Sequence, residues 1–346
     1  MEFTVPPALS RGDRVAVVAP CATPDGQKAP DHVRERGLRR LRERFGLDPV
    51  VYDSVHRERA DRFANPEARA AELETAFRNP DIGAVIAVLG GNDQVRILKH
   101  LDPAVFREHP TRFFGTSDNT SFCSFLHAQG VVSFYGGTLY TDVAHPGPLD
   151  SFVAEYLERA FFDDALGVLD PPERFTDEDL DWHDPANLGR EPTYEPASVT
   201  WAGGDQPARG RLWGGCLEVL DTLLAVNRVP DVEGGVLLLE TSEELIPTGE
   251  VFRVLTAMGE RGLLDGFEAV LVGRAKARNV VEDPGPEGRE RYRATQREAI
   301  ETALAEYAPD VPVVFDLPVG HTKPTAPLPI GGEVRVDPAA ERIEFL

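Results

Sequence analysis

At 346 residues the chain is long enough for two modest domains, and a hydrophobic fraction of 42% is ordinary for a globular protein. A formal net charge of -22 argues against nucleic acid and anionic membrane surfaces as partners. No apolar run approaches a membrane span, residues 1–7 lack the basic region and apolar core of a signal peptide, and the scattered Cys21, Cys123 and Cys216 read as reduced thiols, so a cytoplasmic location is expected.

From the N-terminus, strand and helix signals alternate as they do in a doubly wound sheet. A short buried strand is expected at 15–19, a helix at 32–45 and a strand at 50–52. Asn65 before Pro66 marks the start of a helix that runs to 78. A strand at 84–89 leads through Gly90-Gly91-Asn92-Asp93 into a helix at 93–100. Another strand covers 112–114, and a further helix is expected at 150–162. The composition then turns rich in Pro, Asp and Glu with little periodicity, and this reads as a connector carrying a functional loop around Trp182. A second α/β unit starts near Arg209, with helices at 217–225, 250–260 and 288–307 and strands at 236–239, 269–272 and 311–315. Residues 334–343 suggest a terminal hairpin. The expected organisation is an N-terminal α/β domain over 1–162, a connector over 163–208 and a C-terminal domain over 209–346.

Three segments carry chemistry. In Phe113-Phe114-Gly115-Thr116-Ser117-Asp118-Asn119-Thr120 a strand-like run meets a glycine, then a serine, then a helix-like run. A serine on a sharp strand-to-helix turn stands clear of the backbone, with neighbouring amides aimed to receive an oxyanion. The bland alternative is a helix start capped by Ser117 or Asp118. In the second segment the apolar run Val236-Leu237-Leu238-Leu239 ends in Glu240, and the C-terminal edge of an α/β sheet is where ligands bind. In the third, a strand at 311–315 leads into a loop holding His321. Together they offer a nucleophile, a base and a carboxylate to orient the base, a constellation defined by geometry rather than by sequence separation. Glu243 and Glu244 are rivals to Glu240, but they read as solvated, whereas Glu240 ends the strand directly.

The order and spacing of these segments resemble the LD-carboxypeptidase family of serine peptidases, the muramoyl-tetrapeptide carboxypeptidases. The likeness is strongest to the branch related to the microcin C immunity peptidase. It runs along nearly the whole chain, through Gly12-Asp13-Arg14-Val15-Ala16-Val17-Val18-Ala19-Pro20, the strand ending in Gly90-Gly91, the turn at 115–120, Gly210-Arg211-Leu212-Trp213-Gly214-Gly215, Glu240 and Gly320-His321. The chain departs from the family pattern at Thr116, Cys21, Cys216 and Thr241. Every catalytic group remains, and the departures bear on the pocket and hence the substrate.

The resemblance implies an α/β fold, with an N-terminal doubly wound, mostly parallel sheet and a smaller α/β or barrel-like second domain, the active site lying between them. It implies Ser117 as nucleophile, His321 as base and Glu240 as its orienting acid. The amides of Gly91 and Asp118 are the expected oxyanion donors, although Gly90-Gly91 is also readable as a plain tight turn. Trp182 either stacks on a planar substrate group or pins the connector to a domain. No His or Cys spacing suggests a metal, and no cofactor is expected. The expected substrate is a small peptide or peptidyl-nucleotide, and the expected assembly a homodimer. Two other classes stay open: a catalytically silent peptide- or muropeptide-binding protein, and a small-molecule serine amidase or esterase.

Overall fold

The structure is a computed structural model and describes residues 2–24 and 29–346. In chain order its first strands are β1 (Arg14–Val18), β2 (Asp48–Val51), β3 (Ile82–Ala87), β4 (Arg112–Gly115) and β5 (Ser133–Tyr135). Then come β6 (Gly167–Val168), β7 (Arg174–Phe175), β8 (Glu195–Pro196), β9 (Thr200–Gly203), β10 (Ala208–Cys216), β11 (Gly235–Glu240), β12 (Phe267–Gly273) and β13 (Pro312–Leu317). The last are β14 (Leu328–Ile330), β15 (Glu333–Asp337) and β16 (Arg342–Phe345). The chain divides into two compact units, the first of residues 1–165, 181–191 and 326–331, the second of 166–180, 192–325 and 332–346.

The first unit holds a sheet in the order β14-β5-β4-β3-β1-β2. Strands β2, β1, β3, β4 and β5 run parallel, and β14 closes the edge antiparallel to β5. Val15 to Val18 and Ala84 to Ala87 are wholly buried, as expected of parallel strands covered on both faces. Around β4 the packing is aromatic. Phe122, on the helix Thr120–Ala128, meets Phe113 edge-on at 4.8 Å and Phe106 at 5.4 Å, and Phe106 meets Phe77 at 4.8 Å. Each fully buried Phe contributes roughly 1.5–3 kcal/mol of transfer free energy, so the strand and helix that bracket Ser117 are firmly held. Pro66 does open its helix, but the Asn65 side chain turns back to Asp61 instead of capping it. Residues 94–100 form a 3-10 helix in place of the expected α-helix.

The second unit holds a mixed sheet, β6-β16-β15-β10-β11-β12-β13-β9. Its centre, β10 to β13, is parallel, and β9, β15, β16 and β6 flank it antiparallel. The fold is therefore α/β, with a mostly parallel N-terminal sheet and a mixed C-terminal one. The terminal hairpin is present as β15 and β16. The Pro- and Asp-rich stretch is held by charge more than by apolar burial. Asp177 is buried and pairs with Arg278 at 2.7 Å and with Arg293. The guanidinium groups of Arg274 and Arg293 lie over the Phe175 ring at 4.2 and 4.8 Å.

Candidate active site

Ser117 lies two residues past the end of β4 and takes a φ of 63°. A non-glycine residue in the left-handed region costs of order 1–3 kcal/mol and persists only where its surroundings fix it. Here they do. The Ser117 N–H donates to the Tyr135 hydroxyl at 2.9 Å, and the Thr120 hydroxyl donates to the Ser117 carbonyl at 2.7 Å. Tyr135 sits on the neighbouring β5, and no sequence motif signals its part in holding the turn.

The loop after β3 lies against this turn. A Cβ at Gly90 would come within 2.8 Å of the Ser117 Cβ, and one at Gly91 within 2.6 Å of the Ala22 carbonyl. Both glycines are thus required by close approach, whatever else they do. The Asp118 side chain is 3% exposed and accepts the amides of Asp93 and Gln94, each at 2.9 Å. Burial lifts the Asp118 carboxyl to about 6, and the charge of Asp93 adds to the rise. The two amide bonds and a contact from the Cys21 thiol oppose it. Asp93 itself is tied to Arg69 by a buried, two-pronged ion pair at 2.9 and 2.7 Å.

In the second unit, Glu240 ends β11 with its side chain fully buried. His321 Nδ1 lies 2.7 Å from Glu240 Oε2. Gly320 makes this possible: its φ is 95°, and a Cβ there would fall 2.3 Å from that same carboxylate oxygen. The loop is braced by Thr176 and Lys323, which exchange backbone hydrogen bonds at 2.7 and 2.8 Å. Glu243 lies at the surface, as expected. It is half-exposed, but its Oε2 reaches His321 Nε2 at 3.1 Å. The segment is held by Glu218, whose carboxylate accepts the Ser242 N–H at 3.0 Å and the Ser242 hydroxyl at 2.6 Å, and by Asn279 Nδ2, which donates to the Glu243 carbonyl at 2.8 Å. Glu218 has no sequence signature, because its partner lies a strand and a helix away. Burial alone would push the His321 pKa down; Glu240, by charge and hydrogen bond, and Glu243, by charge, outweigh it. Lys276 opposes them, and the net is a rise to about 9.

Trp182 is half-buried within the first unit. His32 Nε2 approaches its carbonyl oxygen at 2.8 Å, and the indole meets Tyr140 edge-on at 6.1 Å. Cys21, Cys123 and Cys216 are buried, and burial raises the pKa of each thiol, so none is poised as a nucleophile. Among the described residues no group of His, Cys, Asp and Glu is placed to hold a metal ion, and no helix is long and apolar enough to cross a membrane.

The first unit thus holds a strained serine beside paired glycines, and the second a buried carboxylate bound to the Nδ1 of a histidine; each is a feature that acyl-transfer chemistry uses. Comparison with known proteins points the same way. The LD-carboxypeptidase N-terminal domain matches residues 15–136, which include Ser117, and its C-terminal domain matches 209–336, which include Glu240 and His321. Trp182 lies outside both matches. A putative carboxypeptidase of Streptomyces coelicolor is 30% identical over 79% of this chain and 78% of its own. A probable murein peptide carboxypeptidase of Bacillus subtilis is 26% identical over 96% and 92%. Among solved structures, an MccF-like protein from Streptococcus pneumoniae in complex with AMP superposes with a TM-score of 0.85 at 24% identity, covering 97% of this chain and 99% of that one.

Proposed function

The chain belongs to the LD-carboxypeptidase family, and from that premise we propose that it is a serine carboxypeptidase working through Ser117, His321 and Glu240. The Ser117 hydroxyl attacks the carbonyl carbon of the scissile amide while His321 Nε2 takes its proton. Glu240, on Nδ1, holds the ring and stabilises the imidazolium. The amides of Gly91 and Asp118 receive the oxyanion of the tetrahedral intermediate. His321 returns the proton to the leaving amine, and water then cleaves the acyl-enzyme by the same steps. Glu243 must release Nε2 before the base can act, because its carboxylate faces that nitrogen. The observation that carries the reading is the Ser117 backbone: a serine held at a left-handed φ on the turn between strand and helix suits a nucleophile.

The proposed substrates have one chemistry, an amide bearing a small terminal amino acid. One is the C-terminal L,D-peptide bond of a muropeptide, as the name of the Bacillus subtilis relative suggests. The other is the peptide-like amide of an aminoacyl-nucleotide antibiotic. It is favoured by the AMP complex of the MccF-like structure and by the half-buried indole of Trp182, a platform for a base. We place the reaction in the cytoplasm and in a homodimer. A muropeptide tetrapeptide and an aminoacyl-sulfamoyl adenosine, offered side by side with products read by mass spectrometry, test the proposal. Release of the terminal amino acid from either supports it and identifies the substrate. Intact substrates with folded protein contradict it and favour the binding-protein reading.

A further inference from the structure

Asp118 has a second part to play, distinct from that of its amide. Its carboxylate is closed off from solvent. One oxygen, Oδ2, accepts two consecutive amides from the loop after β3, those of Asp93 and Gln94. The Gln94 side chain returns the tie by donating to Asn119 Oδ1 at 2.9 Å and accepting the Phe122 amide at 2.9 Å. We infer that the Asp118 side chain is a positioning latch that holds the paired-glycine loop in register with the Ser117 turn, so that the Gly91 and Asp118 amides converge on one oxygen. The inference rests on the oxyanion role proposed for those amides.

The site has the signature of a group kept for function at a cost to stability. An aspartate whose pKa is raised on folding opposes folding at neutral pH, and the cost fades as pH falls through the folded value. The groups facing it are Asp93 and the Cys21 thiol, with Arg69 bound to Asp93 behind them. None gives Asp118 a direct cationic partner. Two amide bonds to one carboxylate oxygen are the compensation, and both weaken when that carboxylate is protonated.

The test combines hydrogen exchange of segment 89–94 with kinetics. In Asp118→Ala, exchange there should rise about tenfold or more. Its kcat should fall about 100-fold, the cost of losing one oxyanion donor, with KM changed less than about threefold. Asp118→Asn keeps an acceptor oxygen and should reverse most of both effects, which a merely structural defect would not. Should Asp118→Ala fail to fold, the unmodified protein serves. Protection of 89–94, corrected for intrinsic exchange, should drop below about pH 6, and the drop should be absent in Asp118→Asn. Unchanged exchange in folded Asp118→Ala, or protection flat across pH 6, overturns the latch. Raised exchange with kcat intact keeps the latch and defeats the oxyanion role instead, so the two failures are distinguishable.

Discussion

The surroundings of Ser117 and of His321 solve different problems by different means. Ser117 is fixed by backbone: a left-handed φ, a hydrogen bond to Tyr135, aromatic packing on both flanks and a glycine loop too close for any side chain. His321 is governed by charge: a buried carboxylate on one ring nitrogen and a half-exposed one on the other. A nucleophile needs position above all, because an error of an ångström costs orders of magnitude. A base needs a pKa matched to its task, and the charges around it set that pKa. The contrast predicts that changes at the first site will remove turnover without moving its pH dependence, whereas changes to the charges at the second will also shift that dependence.

The largest effect belongs to Ser117→Ala. Turnover of the cleaved substrate should fall about 10⁴-fold or more with the fold retained, leaving only binding and oxyanion stabilisation. Steady-state kinetics with circular dichroism on the same sample checks both halves, and turnover near that of the unmodified protein would end the serine reading. Glu240→Gln comes next. It keeps the shape but removes the charge from Nδ1 and lets the ring take the wrong tautomer, so kcat should drop roughly 10³–10⁴-fold. A loss below tenfold would mean that Glu243, not Glu240, supports the base.

Trp182→Ala is expected to be milder. If the indole carries a base, cleavage of the nucleotide-bearing substrate should weaken by about 1–3 kcal/mol while a plain muropeptide suffers less. Equal losses on both would reduce Trp182 to an anchor for its segment.

The smallest effect, and the sharpest test of the charge argument, is Glu243→Gln. Removing a carboxylate from beside the ring disfavours the imidazolium, so the His321 pKa should fall from about 9 toward its ordinary 6.5. The acid limb of kcat/KM should move to lower pH, and activity at pH 7 should rise, by less than about tenfold. Stability should respond in the matching sense. A histidine whose pKa is raised on folding contributes its full stabilisation below about 6.5 and loses it as pH climbs through about 9. Thermal melts across that window should therefore slope downward in the unmodified protein and less so in Glu243→Gln.

Much of this architecture was legible because it is local. The helix expected at 217–225 has those bounds, and the apolar run ending at Glu240 is a strand whose last residue carries the carboxylate. Phe113-Phe114-Gly115 reads as a strand into a turn because bulky apolar residues give way abruptly to small and polar ones. What was not legible depends on distant pairing. β14 returns from residue 328 to finish the first sheet beside β5, and three residues with one proline carry no signal for that. Glu243 reads as solvated because it lies beyond the strand end, and its approach to the ring accompanies contacts from Glu218 to Ser242 and from Asn279 to the Glu243 carbonyl, both remote in the chain. Tyr135 and the Asp118 carboxylate escape notice for the same reason: each acts on a segment remote in the chain.

The most direct test of the central claim is covalent labelling with a fluorophosphonate probe, read by peptide mass spectrometry on the unmodified protein and on His321→Ala. The account predicts one adduct, on Ser117, formed rapidly in the unmodified protein and slowed at least about 100-fold without the histidine base. Folded protein that stays unlabelled at Ser117, or that labels there equally fast without His321, would contradict it.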